Sequence, residues 1–270
     1  MKKYNINRRK FLELFGCSCC GFLTSSCGTV PITERKQLAL YPESVINRQA
    51  AAAYQKLKNS KKIKLINEGK DLNNIIDIGE KIAESVSVFF KRKNTPDPTL
   101  NFEWDYILID DKKIKNAWCM PGGKIAVYSG MLEVTKNENG LAAVMGHEIA
   151  HAVARHSLER ASQSVAINVG ATILDIALEG ALSRSSADDY LVSLGLTLPF
   201  NRLQESEADY LGLAFMTMAD YDNSESYKIW ERMKNAQKNN PPEFMSTHPS
   251  PKNRIQKLKN WIPEVNARFG

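Results

Sequence analysis

The stretch from Asn137 to Arg160 constrains the fold of this chain more than any other. It contains no proline, and from Gly140 to Ala154 its only polar side chains are His147, Glu148 and His151. A helix that is apolar on nearly every side has to be buried. Burying this one takes two imidazoles and a carboxylate into the interior, which is costly unless they share a partner. Asn137 is a suitable N-cap. His147 and His151 then lie one turn apart on one face, where both rings can reach a single ion. Glu148 is offset around the helix toward the place that a water on such an ion would occupy. Zinc suits this donor set, because it takes imidazole and carboxylate ligands in tetrahedral geometry and a catalytic site leaves one position to water. The competing reading is chance coincidence. It is weakened because the chain has only 4 histidines and the motif uses two of them.

A third protein ligand has to come from elsewhere. The extended pattern with a third histidine six residues after the second is absent: Ala154 stands where it needs glycine and Ser157 where it needs histidine, with His156 one residue short. This directs attention to a glutamate on a later helix. Glu205-Ser206-Glu207-Ala208-Asp209 opens a helical run that continues to Met218. Glu205 and Asp209 share a face, so Glu205 can ligate while Asp209 accepts a hydrogen bond from a ligating imidazole. Glu207 lies about 200° away around a helix of 3.6 residues per turn and reads as a surface or structural acid. Taken alone, the trio reads better as an acidic first helical turn, which is common.

Upstream, 44–58 and 63–93 carry helical patterning, with Ile75, Ile78, Ile82, Val86 and Phe89/Phe90 recurring at three- and four-residue steps. Asn94-Thr95-Pro96-Asp97-Pro98 breaks the chain. Phe102–Ile109, Ile114–Cys119 and Ile125–Tyr128 read as strands, separated by turns at Asp110-Asp111-Lys112 and Pro121-Gly122-Gly123. From Met131 the pattern is helical almost to the end. Helices, a small sheet, then helices predict an α+β fold, mainly helical, with the sheet on one side of the helical body. Val165–Leu182 is the apolar run to test as a membrane span. Asn168, Asp175 and Glu179 within it predict a buried or amphipathic helix instead, placed to cover the cleft.

Residues 1–26 read as an export leader rather than as part of the fold. They hold five basic residues (Lys2, Lys3, Arg8, Arg9, Lys10) and one acid, Glu13, and so carry four of the six net positive charges. The nearly neutral remainder gives no electrostatic reason to expect nucleic acid as a partner. Arg8-Arg9-Lys10-Phe11-Leu12 resembles a twin-arginine signal; an ordinary secretory n-region is the alternative. Leu23-Thr24-Ser25-Ser26-Cys27 resembles a lipoprotein processing site, with plain signal cleavage as its alternative. Lipidation at Cys27 would leave Cys119 as the one thiol, so no disulfide framework is expected. Residues 27–45 are expected to be a tether and lead-in segment, and 46–270 one catalytic domain. The expected location is the bacterial periplasm, with a lipid anchor and the outer membrane favoured.

These motifs together resemble the M48 metallopeptidases, the family of the CAAX prenyl protease and of bacterial periplasmic quality-control proteases. The matching residues are Asn116-Ala117, Pro121 to Tyr128, Gly130-Met131-Leu132, Gly146 to His151, Ala154-Arg155-His156, Arg202, Glu205, Glu207-Ala208-Asp209, Thr247-His248-Pro249-Ser250 and Arg254. Pro31, Thr33, Arg35, Gln37 and Leu38 resemble the lead-in of the lipoprotein members. The resemblance implies a zincin-like metalloprotease in which the edge strand of the sheet borders the active-site cleft. It implies Glu205 as third zinc ligand beside His147 and His151, Glu148 as general base and a substrate strand beside Asn116 and Ala117. It also places His248 and Arg254 near the metal, acting on the reacting carbonyl or the substrate.

The expected reaction is hydrolysis of peptide bonds, with a zinc-bound water activated by Glu148, in unfolded or misassembled envelope proteins. The alternative is a chaperone-like assembly factor with a structural or regulatory metal. An intact Glu148 argues for catalysis, since a structural site needs no base.

Overall fold

Among the described residues the first elements form a hairpin, in which β1 (Cys27–Thr29) pairs antiparallel with β2 (Lys36–Leu38). This computed structural model describes residues 27–164, 200–236, 242–249 and 253–270. The expected leader at 1–26 and the apolar run 165–182 lie outside the described residues. In the turn of the hairpin, Ile32 and Glu34 adopt φ values of 71° and 56°.

Next come α1 (Glu43–Lys58), β3 (Leu65–Ile66) and α2 (Lys70–Arg92). The stripe at Ile75, Ile78, Ile82 and Val86 is the buried face of α2. The expected helix from 63 starts later, at Lys70. Gly69 sits at φ 117°, and Leu65 and Ile66 pair with Ile109 and Leu108 instead of winding into the helix. A two-residue apolar stretch has no periodicity to separate helix from strand, so the sheet edge decides it.

β4 (Asp105–Ile109), β5 (Ala117–Met120) and β6 (Lys124–Tyr128) complete a sheet of order β3-β4-β6-β5, with β4 parallel to β6 and β5 antiparallel to it. β5 is therefore an edge strand, as expected. The two-residue alternation of side chains sorts the sheet's faces. Leu108, Ala117, Cys119, Ile125 and Val127 join the main core, while Ile107, Ile109, Met120 and Ala126 pack with Tyr54 of α1. The sheet is thus covered on both faces.

The helices α3 (Ser129–Thr135), α4 (Glu138–Val153), α5 (Arg202–Met218), α6 (Glu225–Ala236), α7 (Phe244–Thr247) and α8 (Arg254–Phe269) follow. The Asn137 side chain accepts a hydrogen bond from Gly140 N at 2.8 Å, which is the expected N-cap of α4. Every residue of α4 from Gly140 to Val153 is buried. It runs through the centre, against α2, α5, α6 and β5. The result is the α+β, mainly helical architecture expected of a zincin-like protease. Among the described residues no helix is long and apolar enough to cross a membrane.

Candidate metal centre

Two helices build the site, and two glycines set how closely they cross. A Cβ placed on Gly212 of α5 would lie 2.8 Å from His147 N and 2.9 Å from Gly146 C on α4. Only with glycine here can the backbones touch. Glu205, seven residues before Gly212 and so on nearly the same face of α5, is thereby brought onto the His147 and His151 side of α4. A capping box on Asn201 and Gln204 starts α5 immediately before Glu205.

The polar groups then converge. His147 Nε2 lies 3.1 Å from His151 Nε2 and 3.5 Å from Glu205 Oε2, and His151 Nε2 lies 3.4 Å from Glu205 Oε1. His248 Nδ1 closes the group at 3.3 Å from His147 Nε2 and 2.9 Å from Glu205 Oε1. One donor atom from each of these four buried residues lies within 4.8 Å of the others. A tetrahedral ion with bonds of about 2.0–2.1 Å has donor-to-donor edges of about 3.3–3.4 Å. The spacings fit that figure. Glu205 Oε2, buried and paired with Arg254 Nη1 at 2.9 Å but without a hydrogen bond, keeps a lone pair that an ion could take. The residues present therefore fit a divalent metal.

The supporting contacts fix ring orientation. Asp209 Oδ1 is 3.2 Å from His147 Nδ1, the contact expected of it. Arg254 reaches Asp209 Oδ1 with Nη2 at 2.5 Å, sets Nη1 2.9 Å from Glu205 Oε2, and lies over the Trp230 ring at 3.4 Å. Its exposure is 1%. These contacts, with Nη2 also 3.5 Å from His147 Nε2, set Arg254 among the ligand candidates His147 and Glu205. His248 faces Glu148 with Nε2 3.3 Å from Oε1, so it does lie beside the expected base.

Burial would deprotonate His147, but hydrogen bonds to Asp209 and Glu205 raise its pKa to about 9. For His151 burial prevails and the pKa falls well below the usual value. Burial would also raise Glu205, yet His248, His147 and His151 hold it well below the carboxylate range. Glu148 is raised, because burial outweighs the attraction of His248 and His147.

At the edge strand, the bond from Tyr128 N to Asn116 O sets the register with β6. By alternation, the backbone groups of Ala117 and Cys119 then point away from the sheet. The Ala117 N–H is taken by Asn116 Oδ1 at 2.9 Å, and the Cys119 backbone faces Glu148. Asn116 and Ala117 are both buried, and Phe244 N donates to Lys115 O, so the segment leading to His248 lies over the start of this edge.

Several residues of the centre had no local sequence signal. Phe200 stacks on His151 at 3.7 Å and on His248 at 5.3 Å, and Phe244 stacks on His248 at 4.3 Å. An aromatic beside a loop histidine carries no spacing rule. Glu207, expected as a surface or structural acid, is the latter: it is buried, with Oε2 3.0 Å from His156 Nε2.

The family profile of Peptidase family M48 matches residues 76–262. Mitochondrial metalloendopeptidase OMA1 of Schizosaccharomyces pombe is 42% identical over 174 residues, covering 62% of this chain and 49% of that protein. The protein of the same name from Saccharomyces cerevisiae is 28% identical over 270 residues, covering 97% of this chain and 76% of its own length. Beta-barrel assembly-enhancing protease of Escherichia coli O157:H7 is 28% identical over 165 residues, with 57% and 34% covered. The chain thus spans about half of the first of these relatives. The expected bacterial periplasmic location is overturned, because the relatives of higher identity carry mitochondrial names. The comparisons also lend no support to a lipid anchor at Cys27 or to envelope substrates. They meet the expectation of a metallopeptidase at the level that matters for the site: the chain belongs to peptidase family M48.

Proposed function

We propose that the chain is a zinc-dependent endopeptidase in which His147, His151 and Glu205 hold the ion and Glu148 is the general base. The observation that carries this is the convergence of four buried donor atoms within 4.8 Å, with Glu148 Oε1 beside them and free of hydrogen bonds. A zinc ion in this position would bring the pKa of water to about 7 and polarise a scissile carbonyl. Glu148 takes the proton of the water that attacks the carbonyl carbon and returns it to the leaving amine as the C–N bond breaks. Its burial, which raises its pKa, makes it a stronger base than a solvated carboxylate.

Asp209 keeps the proton of His147 on Nδ1 and leaves Nε2 as a lone pair. His248 lines the reacting side next to Glu148, where it can bind the substrate carbonyl as charge builds on oxygen. An extended polypeptide would pair with the outward carbonyls of Ala117 and Cys119. Backbone pairing reads little sequence, which suits unfolded or misassembled chains as substrates.

The test uses the full-length chain, casein as substrate and zinc analysis on one preparation. A chelator should abolish cleavage, and Glu148→Gln should lower kcat by about 10²–10⁴-fold with zinc retained. Near-normal cleavage by zinc-loaded Glu148→Gln would exclude this mechanism.

A further inference from the structure

The hairpin β1–β2 lies outside the matched family region, yet it reaches the metal centre. Arg35 forks onto Glu159, with Nη1 to Oε1 and Nη2 to Oε2 both at 2.8 Å, and its Nε donates to Glu207 Oε2 at 2.8 Å. The Thr33 hydroxyl donates to Glu207 Oε1. Glu207 Oε2 also faces His156 Nε2 at 3.0 Å, and His156 Nδ1 faces His151 Nδ1 at 2.8 Å. His156 is at 0% exposure. It meets His151 because α4 stops at Val153 and Arg155 turns the chain through φ 56° before helix resumes at 156.

The chemistry of these groups orders the protons along the row. A carboxylate accepts only, so His156 carries its proton on Nε2 and gives it to Glu207. The His156 Nδ1 is then a lone pair, and the contact with His151 is satisfied only if His151 Nδ1 is the donor. That tautomer leaves the lone pair of His151 on Nε2, the atom that faces His147 and Glu205. A ligating imidazole characteristically donates its other N–H to a carboxylate or carbonyl. For His147 the acceptor is Asp209. For His151 it is a neutral histidine made a good acceptor by the carboxylate behind it.

We propose that Arg35 and Thr33, through Glu207 and His156, position His151 and hold its Nε2 lone pair toward the metal, so that the N-terminal hairpin is part of the metal centre. This rests on His151 being a ligand, as proposed above. Arg35 acts twice, since Glu159 in turn accepts from Gln204 Nε2 at 2.9 Å, and Gln204 precedes the ligand Glu205. One guanidinium therefore ties the segment bearing His156 to the start of α5. Lysine could not do this, because it lacks the planar fork.

The experiment measures the zinc dissociation constant of the full-length chain by chelator competition, together with the melting temperature of the zinc-free form. His151→Ala tests the ligand assignment: it must lose nearly all affinity, and if it binds zinc like the wild type both readings fall. Glu207→Gln and His156→Phe test the relay. Each should weaken zinc binding by about 10–100-fold, as loss of an orienting partner does. If His151→Ala loses zinc while Glu207→Gln and His156→Phe bind it normally, the relay is wrong and the ligand assignment stands. A merely structural role would lower the zinc-free melting temperature and leave the zinc constant unchanged, which also overturns the proposal.

Arg35→Gln, at a side chain with 18% exposure, provides the variant to use if those at Glu207 or His156 do not fold. It should weaken zinc, and Arg35→Lys should recover little. Because part of the action of Arg35 runs through Glu207, adding Arg35→Gln to Glu207→Gln should cost less than it does alone, the remainder being the tie through Glu159. In ¹⁵N spectra of the zinc-loaded protein, His151 should show the Nδ1–H tautomer, and an Nε2–H signal would refute the assignment.

Discussion

Replacing Gly212 with alanine tests whether the helix crossing sets the geometry of the metal centre. The new Cβ would lie 2.8 Å from His147 N, with Gly146 C and His147 Cα both at 2.9 Å. Comfortable non-bonded contact begins near 3.5 Å, so the shortfall is about 0.7 Å, and every atom met is backbone. No rotamer change can absorb it; α4 and α5 have to separate or tilt. Overpacking of this kind costs about 1–3 kcal/mol. The same displacement moves Glu205 away from His147 and His151, whereas ligand distances tolerate only about ±0.2 Å. Zinc affinity should therefore fall by about tenfold or more, comparable to losing an orienting partner. Gly146→Ala should be milder, because its nearest contact is a single carbonyl oxygen at 3.1 Å. Gly28→Ala, meeting Ala39 Cβ at 3.5 Å, is the control. The assay is zinc competition and thermal melting of the zinc-free protein across the three variants. Wild-type values for Gly212→Ala would show that the crossing does not hold the ligands in place.

Asp209→Asn should keep the fold and weaken zinc by about 10–100-fold, measured by the same competition; unchanged affinity would remove Asp209 from its role beside His147. Cys119 is a free, buried cysteine, and burial pushes its thiol pKa well up. Iodoacetamide should label it far more slowly in the native protein than in denaturant, and equal rates would show that the edge strand opens readily. Burial would raise the pKa of Glu159, but hydrogen bonds from Arg35 and Gln204 hold it below the usual value. A depressed carboxyl contributes stability above its unfolded pKa, about 4.3, that is lost as pH falls through the folded value. Melting temperatures of the zinc-free protein should drop below about pH 4.3, and less steeply in Arg35→Gln; an equal slope would deny that pairing its part in acid stability.

Much of the centre was legible because its signals are local. His147, Glu148 and His151 sit at helical spacing in an apolar run, and Asn137 caps it. Asp209 follows Glu205 by one turn. The leader is local too, but a paired arginine and a small-residue stretch before Cys27 are short patterns with little information. Comparison over more than half the chain carries more, and it moved the location away from the bacterial periplasm.

Other roles were not legible, for a geometric reason. Helical-wheel arithmetic gives the angle between residues on one helix, and it put Glu207 about 200° from Glu205's face, as a helix of 3.6 residues per turn requires. The arithmetic holds, yet pointing away from one partner is not pointing at water. What stands opposite Glu207 comes from 172 and 174 residues earlier in the chain and from His156, aimed by a left-handed turn at Arg155 that no apolar periodicity announces. For Arg254 proximity to the metal was expected, but not its partners Glu205, Asp209 and Trp230, which other helices supply. A residue's chemistry follows from its type, while its role depends on what the rest of the chain places against it. For Arg35 and Arg254 that is a pair of buried carboxylates each: Glu159 and Glu207 for the first, Glu205 and Asp209 for the second.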